Sequence, residues 1–339
     1  MKAINIPSKL KTSLQIAFFF LLAVFFVWWF VSKMTKEEIS EMFASFRGAN
    51  YFLVVLAILI SCLSVYIRAL RWKMLLKALN YKATTTSLFF AIMSCYLTNL
   101  TIPRMGEVVR STLISRKYNF SFDKTLGTII TERAVDLLLF VIIFVIAFLL
   151  EYNIFQSYLE DKFNIDFSHY THLIFYLGIV VLFSIVLFFL LRKKIRQNIV
   201  YKKVIGFVLG IWQGMKTVFQ LEKPFLFIFY SLLIWFLWIL GTWVVFLCLE
   251  PSAVLGLKEA MTVTVLGSIG MMITPGGIGL YPSIFAQAIN IFRIDLAIGY
   301  ALGWISWFVS QASTLLLGPI GFLLFTNKNK KTNDRASKG

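Results

Sequence analysis

Two neighbouring stretches decide the fold: Thr98–Tyr118, T-N-L-T-I-P-R-M-G-E-V-V-R-S-T-L-I-S-R-K-Y, and Thr125–Asp136, T-L-G-T-I-I-T-E-R-A-V-D. The first begins inside an apolar run, breaks at Pro103, and carries Arg104, Glu107 and Arg110. The second places Glu132, Arg133 and Asp136 in the opening turns of another apolar run. On either side, runs of ~20 apolar residues are long enough to cross a hydrocarbon core about 30 Å thick. The chain has 339 residues, 59% of them apolar, with 35 Phe. In lipid only helices or closed barrels satisfy every backbone group, and the ten-residue alternating strands of a barrel are absent. The sequence therefore reads as an all-α polytopic integral membrane protein, and a soluble globular fold is excluded. Charge within such runs needs a reason.

The net charge of +17 resides mostly in loops and tails. No basic domain or aromatic–basic platform accompanies it, so nucleic acid is excluded as a partner. Positive-inside bias and attraction to anionic lipid headgroups account for the excess. Cys62, Cys95 and Cys248 all lie in apolar runs and imply packing rather than a disulfide framework.

In chain order, Lys2, Lys9 and Lys11 precede an apolar run without a small-residue cleavage site, which predicts a signal-anchor helix at about 15–32. Thr35–Glu38 resembles a capping box. Ile39, Met42, Phe43 and Phe46 then form one apolar face that Gly48 ends, which predicts a short interfacial helix. A span at about 51–70 runs into Arg68, Arg71, Lys73, Lys77 and Lys82, read as a cytoplasmic basic stretch. Residues 85–102 are apolar around Asn99, 105–124 are polar and basic, and 126–150 are apolar again. The acidic stretch 151–172 reads as external. A further span is expected at 172–191. A basic amphipathic elbow follows within 192–223, carrying Val204, Phe207, Val208, Ile211, Trp212 and Met215. Spans are expected at 225–249 and 296–325, with 257–292 between them interrupted by M-I-T-P-G-G-I-G-L-Y-P.

Charge bias constrains the count. A full crossing by 85–102 would leave the basic stretch 104–124 outside, against the positive-inside rule. A hairpin that enters from the cytoplasm and returns restores the rule for every later loop, and the same argument makes 257–292 a hairpin entering from outside. The expected layout is six full spans and two re-entrant hairpins, with both termini cytoplasmic in the inner membrane. It forms a single domain: repeat A at about 51–150, a link to 223, repeat B at about 224–325, and a basic tail at 326–339. The two repeats are related by inversion. Each hairpin breaks at proline with glycine after it, a transporter arrangement tolerated only beside a cavity.

Arg104, Glu107 and Arg110 follow the helix-starting Pro103 at three-residue spacing. A helix N-terminus carries partial positive charge and free N–H groups, and guanidinium groups bind phosphate oxygens in pairs. With Asn99 and Gly106 beside them, these residues are a candidate seat for a lipid phosphate. The alternative is an interfacial segment in which Glu107 simply pairs an arginine. Glu132, Arg133 and Asp136 are helix neighbours. A charge facing lipid at the bilayer centre costs about 2.5–3.5 kcal/mol, so they must face protein or a wet cavity. They could form a switchable ion-pair network with Glu107, or be static, Arg133 being held by Asp136 and by Glu107. Pro275, Gly276, Gly277 and Gly279 admit close backbone approach, for a pathway or for a tight bend. Asn99, Thr101, Thr274, Ser283, Gln287 and Gln311 could line a pathway or join helices.

Catalytic constellations are scarce. His169 and His172, with Asp166, read as loop residues rather than a metal site, and no nucleotide-binding or hydrolase motif is present. No metal, cofactor or enzymatic activity is expected, and any transport would be passive or ion-driven.

R-A-L-R-W-K-M-L-L, N-L-T-I-P-R-M-G-E-V-V-R, T-E-R-A-V-D and P-G-G-I-G-L resemble the flippase-like transmembrane family, which includes the membrane half of lysylphosphatidylglycerol synthase. The resemblance covers about 10–325. It implies a helical domain that moves a lipid between leaflets, in the best-known members an aminoacylated phospholipid. Asn99, Pro103, Arg104, Gly106, Glu107, Arg110, Glu132, Arg133, Asp136, Pro275, Gly276, Gly277 and Gly279 match the recurrent positions. Two departures stand out. Leu280–Ser283 lacks the acidic residue that members often carry after the second break, which removes support for a coupling role there. The fourteen residues after Phe325 leave no room for a soluble aminoacyl-transferase domain, so synthesis of the lipid would fall to a separate enzyme, a candidate partner. The expected function is a lipid flippase or transporter acting on a lipid phosphate. Alternatives are a membrane enzyme or accessory subunit for lipid-linked glycans or headgroups, and a structural partner in the cell envelope.

Overall fold

The computed structural model describes residues 35–102, 104–163 and 221–336, together with Leu21, Trp28, Ser32 and Val218. The expected signal anchor, Pro103, the Asp166/His169/His172 group, the span at 172–191 and the elbow residues Val204–Met215 lie outside them. Among the described residues there are ten α-helices and no strand: α1 Lys36–Gly48, α2 Tyr51–Ala78, α3 Thr85–Thr101, α4 Met105–Tyr118, α5 Phe122–Leu150, α6 Tyr152–Phe163, α7 Pro224–Phe246, α8 Leu257–Ile273, α9 Leu280–Asn290 and α10 Leu296–Ala336.

Local chemistry sets the starts. The Asn50 carboxamide accepts from the Phe52 N–H at 3.2 Å and opens α2, and Thr84 caps α3 through the Ser87 N–H. Pro224 opens α7, where a missing N–H costs nothing. Glu259 reaches back to the Gly256 N–H at 2.8 Å to open α8. Of the apolar face expected on α1, Met42 is buried and Phe43 is left exposed.

Among the described residues four helices, α2, α5, α7 and the 296–325 portion of α10, are long and apolar enough to cross a membrane. The arms α3 and α8 have 17 residues each, about 26 Å of helix, and α4 and α9 are shorter. Each arm pair forms a helix–break–helix hairpin. The sequence places α3/α4 between α2 and α5, and α8/α9 between α7 and α10.

The packing relations of one set recur in the other. α2 packs on α3 and α7 on α8; α3 packs on α10, and α8 on α5. The leading helices α2 and α7 run antiparallel. The Asn50 N–H donates to the Cys248 carbonyl at one end, Trp238 Nε1 donates to Ser64 Oγ in between, and Arg71 reaches Ser231 towards the other end. Glycines on α10 let backbones meet: Gly303 lies against Pro282 of α9, and Gly318 and Gly321 against Leu97, Ser94 and Phe90 of α3.

The tips of the two hairpins touch. Between α8 and α9 the chain turns through Gly276, Gly277 and Gly279 at φ of 59°, 75° and 76°, a region that disfavours side chains. A Cβ on Gly276 would stand 2.2 Å from the Leu100 side chain, near the end of α3. Trp307 of α10 donates to the Gly276 carbonyl at 2.8 Å and holds the turn.

Candidate functional site

Arg68 and Arg71 are three residues apart on α2, and Glu132 and Asp136 four apart on α5, so each helix presents a like-charged pair on one face. The two pairs interlock. Arg68 Nε lies 2.5 Å from Glu132 Oε1 and its Nη2 2.5 Å from Asp136 Oδ2. Arg71 Nη2 and Nη1 lie 3.0 Å and 2.7 Å from the same two carboxylates. Arg110 of α4 adds a 2.9 Å bond to Glu132 Oε2 and stacks 3.7 Å above the Trp72 ring. Desolvated cation–π contacts of this kind are worth about 2 kcal/mol.

Neighbouring helices complete the shell. Tyr96 of α3 accepts from Arg68, Ser231 of α7 from Arg71, and Thr128 of α5 from the Trp72 indole. Arg68, Arg71, Arg110 and Glu132 are buried, and the Asp136 side chain is 13% exposed. Three guanidinium groups thus face two carboxylates, and arginine does not shed its proton. The cluster carries one excess positive charge among apolar helices. The buried Nε atoms of Arg71 and Arg110 have no partner.

A second pair lies beside it. Arg133 Nη2 bonds Glu107 Oε1 at 2.7 Å, with side chains 41% and 22% exposed. The expected Arg133–Asp136 contact is replaced, because Asp136 turns towards Arg68 and Arg71, while Arg133 points to α4. Glu107, Glu132, Arg133 and Asp136 therefore divide into two assemblies.

Arg104 and Arg110 do not share a face. Arg104 precedes α4 with φ 65°, a left-handed conformation costly for a non-glycine residue, and it is exposed. Arg110 is committed to Glu132 and Trp72. The Asn99 carboxamide accepts from the Gly106 N–H at 2.8 Å, so one N–H at the start of α4 is already taken. Gly106 sits so tightly that a Cβ would lie 2.2 Å from the Cys95 carbonyl. Thr101, Thr274 and Ser283 bond carbonyls of their own helix or turn, which satisfies them locally. Gln311 is buried and donates to Ser310, and Gln287 is half-buried.

Arg68 and Arg71 are the members of the buried cluster that sequence reasoning passed over, because they merge into a run of lysines. The span does not stop near residue 70; α2 continues to Ala78. The available signal was their spacing: Arg68, Arg71, Trp72 and Leu75 share one helix face, whereas Lys73 and Lys77 point elsewhere and are exposed.

The sequence model of the family described as "Lysylphosphatidylglycerol synthase TM region" matches residues 14–318. The chain is similar to the UPF0104 membrane protein MJ1595 of Methanocaldococcus jannaschii, 25% identical over 96% of this chain and 97% of that protein. It is also similar to MJ1078 of the same organism, 26% identical over 68% of this chain and 94% of the relative. PH1989 of Pyrococcus horikoshii is 29% identical over 38% of this chain and 37% of its own length. No solved structure matches. With apolar helices long enough to span and the family match covering most of its length, this multi-pass membrane protein belongs to the family of the lysylphosphatidylglycerol synthase transmembrane region.

Proposed function

We propose that the protein is a lipid transporter that moves phosphate-bearing lipids between the leaflets of the cytoplasmic membrane, without altering them chemically. The observation that carries this reading is the contact of two broken-helix tips within an antiparallel framework that also encloses a cluster of excess positive charge. Irregular backbone at membrane depth is tolerated only beside protein or a wet cavity. Broken helices meeting between inverted halves are how many secondary transporters build a central site. The antiparallel course of α2 and α7 supports inverted repeats, and first arms of 17 residues, at the short end for a crossing, support two re-entrant hairpins. Both termini are assigned to the cytoplasm by the positive-inside rule.

In this reading Arg104 is the substrate-facing cation. It is exposed at the broken end of the first hairpin and held in a conformation that disfavours side chains. The network of Arg68, Arg71, Arg110, Glu132 and Asp136 supplies the field that favours an anion, and opens as the halves move. Asn99 and Gly106 position the turn that presents Arg104.

The test is leaflet redistribution in phosphatidylcholine vesicles carrying a trace of headgroup-labelled phosphatidylglycerol, read by a membrane-impermeant quencher. Protein-containing vesicles are expected to lose the protected inner-leaflet signal, with lipid masses unchanged. Arg104→Ala is expected to slow that loss at least tenfold while the protein stays folded. A protected fraction that persists with wild-type protein overturns transport. Lipid masses that change favour the membrane-enzyme reading instead.

A further inference from the structure

We propose that the Glu107–Arg133 pair is the lateral entry point for a lipid phosphodiester, with Glu107 as the resident counter-ion that the incoming phosphate displaces from Arg133. The inference rests on the transport reading above and adds to it where the headgroup first binds and what it must displace.

The setting of the pair is the first argument. On α5, Arg133 lies on one stripe with Ile130 and Leu137, which are 58% and 37% exposed. On α4, Glu107 sits beside exposed Met105 and Val108. These exposed apolar side chains flank the partly exposed ion pair, and in the transport reading they face lipid. Charges set in such a surface are costly unless paired or functional. The other five charged residues of the site lie deeper, only Asp136 being partly exposed.

The second argument is how Glu107 is held. Glu132 is gripped by three guanidinium groups, whereas Glu107 engages Arg133 through Oε1, and its Oε2 is buried without a hydrogen-bond partner. A carboxylate held by one charge-assisted bond and left half-satisfied is poised for exchange. A phosphodiester offers two unesterified oxygens, which match the guanidinium fork better than the single oxygen Glu107 supplies.

The third argument is direction. Exposed Arg104 precedes Glu107 by three residues and adds a further cation at the start of α4. Beyond the pair, the buried cluster holds one positive charge in excess. A phosphate that takes Arg133 is therefore drawn inwards, while the released Glu107 carboxylate is stabilised by the same field.

The decisive measurement is binding of soluble dihexanoyl phosphatidylglycerol to the full-length protein in a neutral detergent, without any transport step. Glu107→Gln is expected to tighten binding about tenfold, the scale of one charge-assisted bond removed from competition. Arg133→Gln is expected to weaken it by at least as much, with Arg133→Lys between that variant and wild type. Glu107→Ala serves as the second carboxylate removal should the glutamine variant fold poorly. Unchanged or weaker binding in both Glu107 variants overturns the proposal. Inorganic phosphate that binds as well as the lipid overturns the lipid as the source of the phosphate. Transport that fails while this binding pattern holds overturns only the transport reading, so the two fail separately.

Discussion

Glu132 is the residue on which the buried network turns. It is buried and touches Arg68, Arg71 and Arg110. Removing its charge leaves three guanidinium groups against Asp136 alone. Breaking one side of a buried ion pair typically costs about 3–5 kcal/mol, so Glu132→Gln is expected to lower the unfolding midpoint in detergent sharply. Arg104→Ala, at an exposed position outside the network, is expected to leave that midpoint nearly unchanged. Equal destabilisation by the two would mean that Arg104 is structural and would remove it from the substrate path. At this scale the sequence was half legible. Pro103, Arg104, Glu107, Glu132 and Asp136 were visible as charges and breaks inside apolar runs. Their partners were not, because pairing is decided by which helices come together, and Arg68 and Arg71 were hidden by adjacent lysines that obey a different rule.

At the scale of elements, the helix breaks were legible because proline and glycine punctuate apolar sequence there. Residues 85–124 and 257–292 were expected to contain the two breaks, and the helices stop at Thr101 and Ile273 and resume at Met105 and Leu280. Boundaries were less accurate. α2 runs past residue 70 to Ala78, since a helix that buries its arginines does not end where its charge begins. Close packing enforces the first hairpin: Gly106 lies against the Cys95 carbonyl, and Asn99 bonds the Gly106 N–H. Gly106→Ala is expected to cost about 1–3 kcal/mol through overpacking, measured as a lowered midpoint, and a neutral result would show that the hairpin relaxes easily. The orientation of both hairpins is checked by single cysteines at Arg116, Lys258 and Arg293 in a background without Cys62, Cys95 and Cys248. Arg116 is expected to label from inside, Lys258 and Arg293 from outside. Labelling of Arg116 from outside would turn the first hairpin into an ordinary crossing.

For the whole molecule, the two ends of α5 are held very differently. Near one end five charged residues bind α2, α4 and α5 together. At the other end, Glu151 is buried and meets Lys258 of α8 through Oε2 at 3.0 Å, and its Oε1 lacks a hydrogen bond. Glu132 and Glu151 are about 28 Å apart along the helix axis. Between them, α5 touches the second set through a small cluster of Ile143, Trp235 and Val265. If lipid moves because the two halves separate alternately, the lightly held junction of α5 with α8 is the one that parts first. Glu151→Cys together with Lys258→Cys, bridged by a short bis-methanethiosulfonate reagent, should then stop lipid movement. Reduction of the bridge should restore it. Binding of the short-chain lipid at Arg133 should survive the bridge, because that site lies towards the opposite end of α5. Lipid movement that continues through a fully bridged protein would show that α5 and α8 stay together throughout the cycle, and would place the opening motion within the network of arginines instead.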